Sequence, residues 1–175
     1  MINWGIIGLG AMANRFATAI KEVKNVKLIG IASTSIDRLK NFGDEYNIEK
    51  KFRFNSYDEI LNCSLVDAIY ISLPHNLHSM WAKQAASTNK HVLCEKPMGI
   101  SYSEAIAMQN AADKMGIINM VPFTYRFMPT ARFIKELVDD GYLGKLYHLN
   151  MRYYGNAARQ PGYLWRFDMR KAGTG

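Results

Sequence analysis

Three short segments carry residue types that could do chemistry together. Lys90-His91-Val92-Leu93-Cys94-Glu95-Lys96-Pro97 ends an apolar run in an acid, a base and a proline. A lysine ammonium at such a point can donate to a hydroxyl oxygen and favour alkoxide character as a hydride leaves. Taken alone, the same Glu95-Lys96 pair also fits a surface ion pair. Pro74-His75-Asn76-Leu77-His78 follows a second apolar run. Two histidines three apart suggest one edge of a metal site, but no third ligand has suitable spacing, so no metal is expected. Capping and solvated polar surface remain open for this segment, beside a place in a ligand crevice.

The third segment is Gly8-Leu9-Gly10-Ala11-Met12-Ala13. It follows a strand pattern and opens a helical one, the context in which a glycine-rich turn binds a dinucleotide pyrophosphate. Gly8 permits the tight turn, Gly10 keeps a Cβ out of the ligand's way, and Ala13 stands where a small residue lets helix and sheet pack closely. The helix start offers amides and a partial positive charge to phosphates. The second strand pattern ends Gly30-Ile31-Ala32-Ser33-Thr34-Ser35, with no carboxylate before Asp37. An acidic residue there would bind ribose hydroxyls. Ser33, Thr34 and Arg38 can instead surround a 2′-phosphate, which favours NADP over NAD. An exposed helix start is the competing account of Ser35 and Arg38.

The elements that must position these residues show one repeated rhythm. Strand patterns fall at Ile2 to Ile7, Val26 to Ala32, near Phe52, Val66 to Ser72, His91 to Cys94 and Ile117 to Val121. Helical spacing fills the intervals at Ala11 to Val23, Ile36 to Tyr46, Asn76 to Ser87 and Ala105 to Met115. Ser56 with Glu59, and Ser101 with Glu104, read as capping boxes. Strands alternating with helices make βαβ units, a mostly parallel sheet and helices on both faces. The fold class is therefore α/β, with a doubly wound parallel-sheet domain over 1–121. The pattern changes after Pro122. One helix, Pro129 to Asp140, and one alternating segment, Leu146 to Tyr154, read as a helix and an antiparallel strand. They predict the beginning of an α+β second domain over 122–175, incomplete because one helix and one strand build no core.

Composition narrows the class. The 175 residues are 49% hydrophobic and 21% charged, which excludes disorder. No apolar run approaches the roughly 18 residues of a membrane span, and the N-terminus lacks the features of a secretory signal. Cys63 and Cys94 are the only cysteines, too few for a disulfide framework. A soluble, cytoplasmic protein with no membrane partner is expected. The net charge of +7 divides into +2 over residues 1–121 and +5 over 122–175. In the second part Arg126, Arg132, Arg152, Arg159, Arg166 and Arg170 lie among aromatics rather than in a lysine run. That suits solvated surface or a wall for an anionic cofactor or substrate, and no nucleic-acid partner is expected.

With these residues in order, the chain resembles the Gfo/Idh/MocA oxidoreductases, a family with an N-terminal Rossmann domain. Besides the glycine turn, the resemblance rests on Val66-Asp67-Ala68-Ile69-Tyr70-Ile71, on Pro74 with His78, and on Lys90 to Pro97. Arg126-Phe127-Met128-Pro129, and Trp165-Arg166 with Gly173, resemble later family motifs. It implies an NAD(P)-dependent dehydrogenase or reductase acting on a sugar, cyclitol or related hydroxyl compound. By the family pattern Lys96 is catalytic and Glu95 lies near the nicotinamide ribose. Gly8, Gly10, Ser72, Pro74 and His78 line the cofactor, with His75 close by and Arg126 also on the cofactor side. Tyr125, Trp165 and Arg166 are expected near the substrate with Lys96. The Lys96–Pro97 bond is commonly cis, which would turn the lysine into the crevice. The resemblance also implies a chain that stops before the Asp and His of a later motif, and a homo-oligomer at full length. A cofactor-binding regulator or an inactive truncated homologue on the same fold is the alternative.

Overall fold

The computed structural model describes residues 1–154 and 168–172. Met1–Pro122 and the helix at Met169–Ala172 belong to one compact unit, and the chain from Phe123 to Tyr154 belongs to a second.

In the first unit the strands are β1 (Ile2–Ile7), β2 (Val26–Ala32), β3 (Arg53–Phe54), β4 (Ala68–Ile71), β5 (His91–Cys94) and β6 (Asn119–Met120). They form one sheet in the order β3-β2-β1-β4-β5-β6, every pair parallel. The helices between them are α1 (Ala11–Ala19), α2 (Ile36–Glu45), α3 (Tyr57–Asn62), α4 (His78–Ser87) and α5 (Tyr102–Met115). The period of two along each strand divides the core between the faces. Ile6, Ile31 and Tyr70 join Ala13 and Ala17 of α1 and Leu39 and Phe42 of α2 on one face. Ile7, Ala32, Ile69, Ile71, Val92 and Cys94 join α3, α4 and α5 on the other. All of β4 is buried, as the unbroken apolar run requires of a strand covered on both faces. The order reverses between β1 and β4, so the crevice outside their carboxyl ends is the ligand position of such a sheet.

Local signals set the helix starts with two departures from expectation. Ser35 caps α2 by accepting from the amide of Arg38 at 3.4 Å. Ser101 caps α5 through Glu104 N at 3.2 Å, but the Glu104 carboxylate takes the amide of Ile100 rather than that of Ser101. Ser56 accepts from Asp58, one residue short of the Glu59 amide expected.

The second unit holds a short 3₁₀ turn at Thr124–Phe127 and α6 (Pro129–Asp139), opened by its proline. The antiparallel strand expected over Leu146 to Tyr154 does not form. That stretch enters no ladder, and Leu149, Met151 and Tyr153 are exposed. The reason is physical: alternation marks a face, but a strand also needs a second backbone for its N–H and C=O groups. No strand among the described residues supplies one. Among the same residues, no helix is long and apolar enough to cross a membrane.

Candidate functional site

The cleft at the β1/β4 reversal is built by backbone first. Gly8 adopts φ +87°, and a Cβ there would meet Leu73 Cδ2 at 2.8 Å and the Ser72 carbonyl oxygen at 3.0 Å. Glycine is thus required both for the turn and for the approach of the two strand ends. The Ser72 hydroxyl donates to the Gly8 carbonyl at 2.6 Å, and the Ser72 amide donates to Ile7 at 3.0 Å. At Gly10 a Cβ would meet nothing within 4 Å. No contact within the protein demands a glycine there, which leaves an unfilled cradle at the start of α1. That helix has no side-chain cap and no acidic residue in its first turn, so its amides face the cleft uncompensated. The cleft has a volume of about 190 Å³, and Gly10, Met12, Ser72, His75, Glu95 and Lys96 are among its lining residues.

The carboxyl end of β5 supplies the charged groups. Glu95 continues the ladder past the strand, its amide donating to Ile71 at 2.9 Å. Its side chain is buried. Oε1 accepts from the Tyr70 hydroxyl at 2.8 Å, and Oε2 accepts from the Lys96 amide at 3.2 Å. Burial, then the hydrogen bond and charge of Glu95, push the Tyr70 phenol far above its ordinary value, so it stays a donor. Burial, aided by Glu95, pushes the Cys94 thiol up to about 12, which leaves it inert as a nucleophile. Lys96 is exposed, and among the described residues its ammonium makes no ion pair with Glu95. The surface ion pair is therefore not what this segment forms. The Lys96–Pro97 bond is cis.

The two histidines separate. His75 lines the cleft, with Nδ1 3.0 Å from the Ala172 carbonyl oxygen of α7 (Met169–Ala172). His78 is fully buried, with Nδ1 2.7 Å from the Pro97 oxygen and Nε2 2.9 Å from the Leu73 oxygen. A neutral ring donates to one of those carbonyls and a doubly protonated ring to both. His78 is thus a strut between the loops after β4 and β5. Before α7, the Asp168 carboxylate accepts from the amide and guanidinium of Arg170, and that pairing holds it below the usual carboxylate range. No cluster of three metal-ligating side chains occurs among the described residues.

The model of the Gfo/Idh/MocA oxidoreductase family, NAD-binding Rossmann fold, matches residues 2–123. The chain belongs to this family. It is 31% identical over 165 residues to glucose-6-phosphate 3-dehydrogenase of Bacillus subtilis strain 168, covering 94% of this chain and 46% of that one. An aldose–aldose oxidoreductase from Caulobacter crescentus, crystallised with glycerol, superposes with a TM-score of 0.76 at 32% identity, covering 82% of this chain and 44% of that one. A 3-ketoreductase from Actinomadura kijaniata, in complex with TDP-benzene and NADP, gives 0.73 at 30% identity over 80% and 42% of the two chains. The chain thus spans less than half the length of these Gfo/Idh/MocA proteins.

Within this Gfo/Idh/MocA chain the other expected residues fall in several places. The side chain of Leu9 is buried in the core against α1 and α2. Ala11 is exposed in the first turn of α1, and Pro74 opens the 3₁₀ turn that carries His75. At the end of β2, Ser33 is buried and its hydroxyl accepts from the Ser35 amide at 3.1 Å, whereas Thr34 and Arg38 are exposed. Tyr125 and Arg126 lie on the 3₁₀ turn of the second unit, where Tyr125 meets Tyr153 edge-on at 6.1 Å. Trp165 and Arg166, with Gly173, lie outside the described residues. Tyr70 was not singled out from the sequence as a site residue. The available signal was a phenol inside an aliphatic, doubly covered strand, since a buried tyrosine hydroxyl needs a partner.

Proposed function

We propose that this chain binds a nicotinamide dinucleotide, NADP in preference to NAD, and serves hydride transfer to or from a sugar, cyclitol or related hydroxyl compound. The observation that carries this reading is the cleft itself. An unfilled cradle at Gly10 and the bare start of α1 face an exposed lysine across the point where the sheet order reverses. Gly8 to Met12 would hold the pyrophosphate through backbone amides, and Ser72 would keep their loop against β4. Thr34 and Arg38, with the hydroxyl of Ser33, would meet a 2′-phosphate. The bound nicotinamide supplies the hydride acceptor or donor. Lys96 donates a proton or hydrogen bond to the substrate oxygen and stabilises its negative charge. Arg126 would add a cation on the cofactor side, and Tyr125, Trp165 and Arg166 would contact the substrate. The named activities of the relatives support a sugar-like substrate.

Two compositional features extend the reading. Two free thiols without a disulfide suit a cytoplasmic protein. The exposed apolar residues Leu143, Leu146, Leu149 and Met151 support self-association of the full-length protein. The domain division proposed is 1–121 for cofactor binding and 122–175 for the beginning of a substrate domain.

The experiment is fluorescence titration with NADPH and NADH. NADPH should bind tighter, Arg38→Ala should erode that preference about tenfold, and Gly10→Val should abolish binding with an unchanged circular dichroism spectrum. Lys96→Ala should leave affinity near parental while any turnover with sugars falls by orders of magnitude. Unchanged NADPH affinity in the Gly10→Val protein would refute the reading.

A further inference from the structure

We propose that Tyr70 is a positioning residue of this cleft: its hydroxyl holds the Glu95 carboxylate towards the core and so keeps that carboxylate off the Lys96 ammonium. The proposal deepens the reading above and rests on it for the role of Lys96. It stands on the geometry at the ends of β4 and β5. These strands are parallel neighbours with Tyr70 opposite Leu93, and Glu95 continues the ladder two residues on. Residues two apart share a face, so the Glu95 side chain emerges on the face that carries Tyr70. The phenol ring is held from beneath. It stacks on Phe16 of α1, with centroids 4.2 Å apart at 16°, and Phe16 in turn packs against Trp4 at 5.3 Å. A ring fixed in this way aims its one polar atom at one place, and Glu95 Oε1 is there.

Both oxygens of the buried carboxylate are then occupied, one by the phenol and one by the Lys96 amide. Glu95 and Lys96 are adjacent in the chain, yet the ammonium is left to the cleft. Removing the hydroxyl leaves Oε1 buried without a partner, which is costly for a charged group. The cation that can relieve it is the neighbouring ammonium. An ion pair formed in that way takes from the cleft the one charge that the proposed chemistry uses.

The test reads Lys96 directly. The folded chain is labelled with an amine-reactive ester and the rate at Lys96 is followed by mass spectrometry. In Tyr70→Phe, which keeps the ring and its stack, labelling of Lys96 should slow at least threefold. In the double variant Tyr70→Phe/Glu95→Gln it should return to the parental rate. Only an effect transmitted through the carboxylate is rescued by neutralising that carboxylate. A parental rate in Tyr70→Phe, or a rate still slow in the double variant, overturns the proposal. NADPH titration of the parent separates the two ideas: failure to bind removes the cofactor reading, while the labelling rates still decide the role of Tyr70.

Discussion

β4 and the stretch from Leu146 to Tyr154 are both rich in aliphatic and aromatic residues, and their fates are opposite. β4 bonds to β1 on one side and β5 on the other, and helices cover both faces; Ile69 is 0% exposed. Leu146 to Tyr154 alternates as a half-buried strand should, yet it pairs with nothing among the described residues and Leu149 is 77% exposed. Pattern therefore selects the face that a segment will bury, whereas neighbours decide whether it becomes a strand at all. The same contrast governs chemistry. At the sheet ends Ser72, Glu95 and His75 each meet a partner distant in sequence, and such a frame can fix a lysine where a ligand binds.

The sharpest way to break the comparison is by truncation at matched positions. Ile69→Ala should cost about 2–5 kcal/mol in urea denaturation, because it empties a fully buried site. Leu149→Ala should stay within about 0.5 kcal/mol. Equal losses would show that the exposed stretch is buried in solution.

The next contrast lies within the glycine turn. Gly8→Ala should cost about 2 kcal/mol, from the positive φ and from the clash of its Cβ with Leu73 and Ser72. Gly10→Ala, whose Cβ meets nothing, should cost less than about 1 kcal/mol at this helix cap. Thermal melts of both proteins decide whether only the first glycine is demanded by the fold.

Ser101→Ala removes the side-chain cap of α5 and should cost about 1 kcal/mol. Met128→Ala at the corresponding position of α6, where no side-chain cap exists, should change little. A similar loss at both sites would blur the contrast between the units.

The smallest effect is electrostatic. The hydrogen bond from Arg53, at 2.6 Å, holds the exposed Asp44 carboxyl below the usual carboxylate range. A carboxylate depressed in the folded state contributes stability above its unfolded value, near pH 4, and loses it as the pH falls through the folded value. Asp44→Asn should therefore slightly flatten the acid side of the stability profile and leave its slope near neutral pH unchanged. An altered slope near pH 7 would assign the pair another role.

β1, β2 and β5 were legible to the residue, because their apolar runs are bounded by turn residues and match the burial they receive. β4 is shorter than its apolar run. Val66 closes a turn onto Cys63, while Asp67 and Ser72 still bond to β1 outside the strand proper. The glycine turn and the position of Lys96 just after β5 were legible too, because spacing within a few residues displays them. The partners of those residues were not.

From its residues alone this protein is determined to alternate strands and helices, to turn on a glycine after β1, and to place Glu95-Lys96-Pro97 after β5. These are properties of neighbours along the chain, where φ preference and periodicity act. Only the tertiary structure decided that Ser72 closes on Gly8, 64 residues away, that Glu95 answers to Tyr70, 25 residues away, and that His78 is a buried strut. A side-chain hydrogen bond depends on distance and direction to within fractions of an ångström. Strand order and helix packing set those quantities, and no local spacing encodes them.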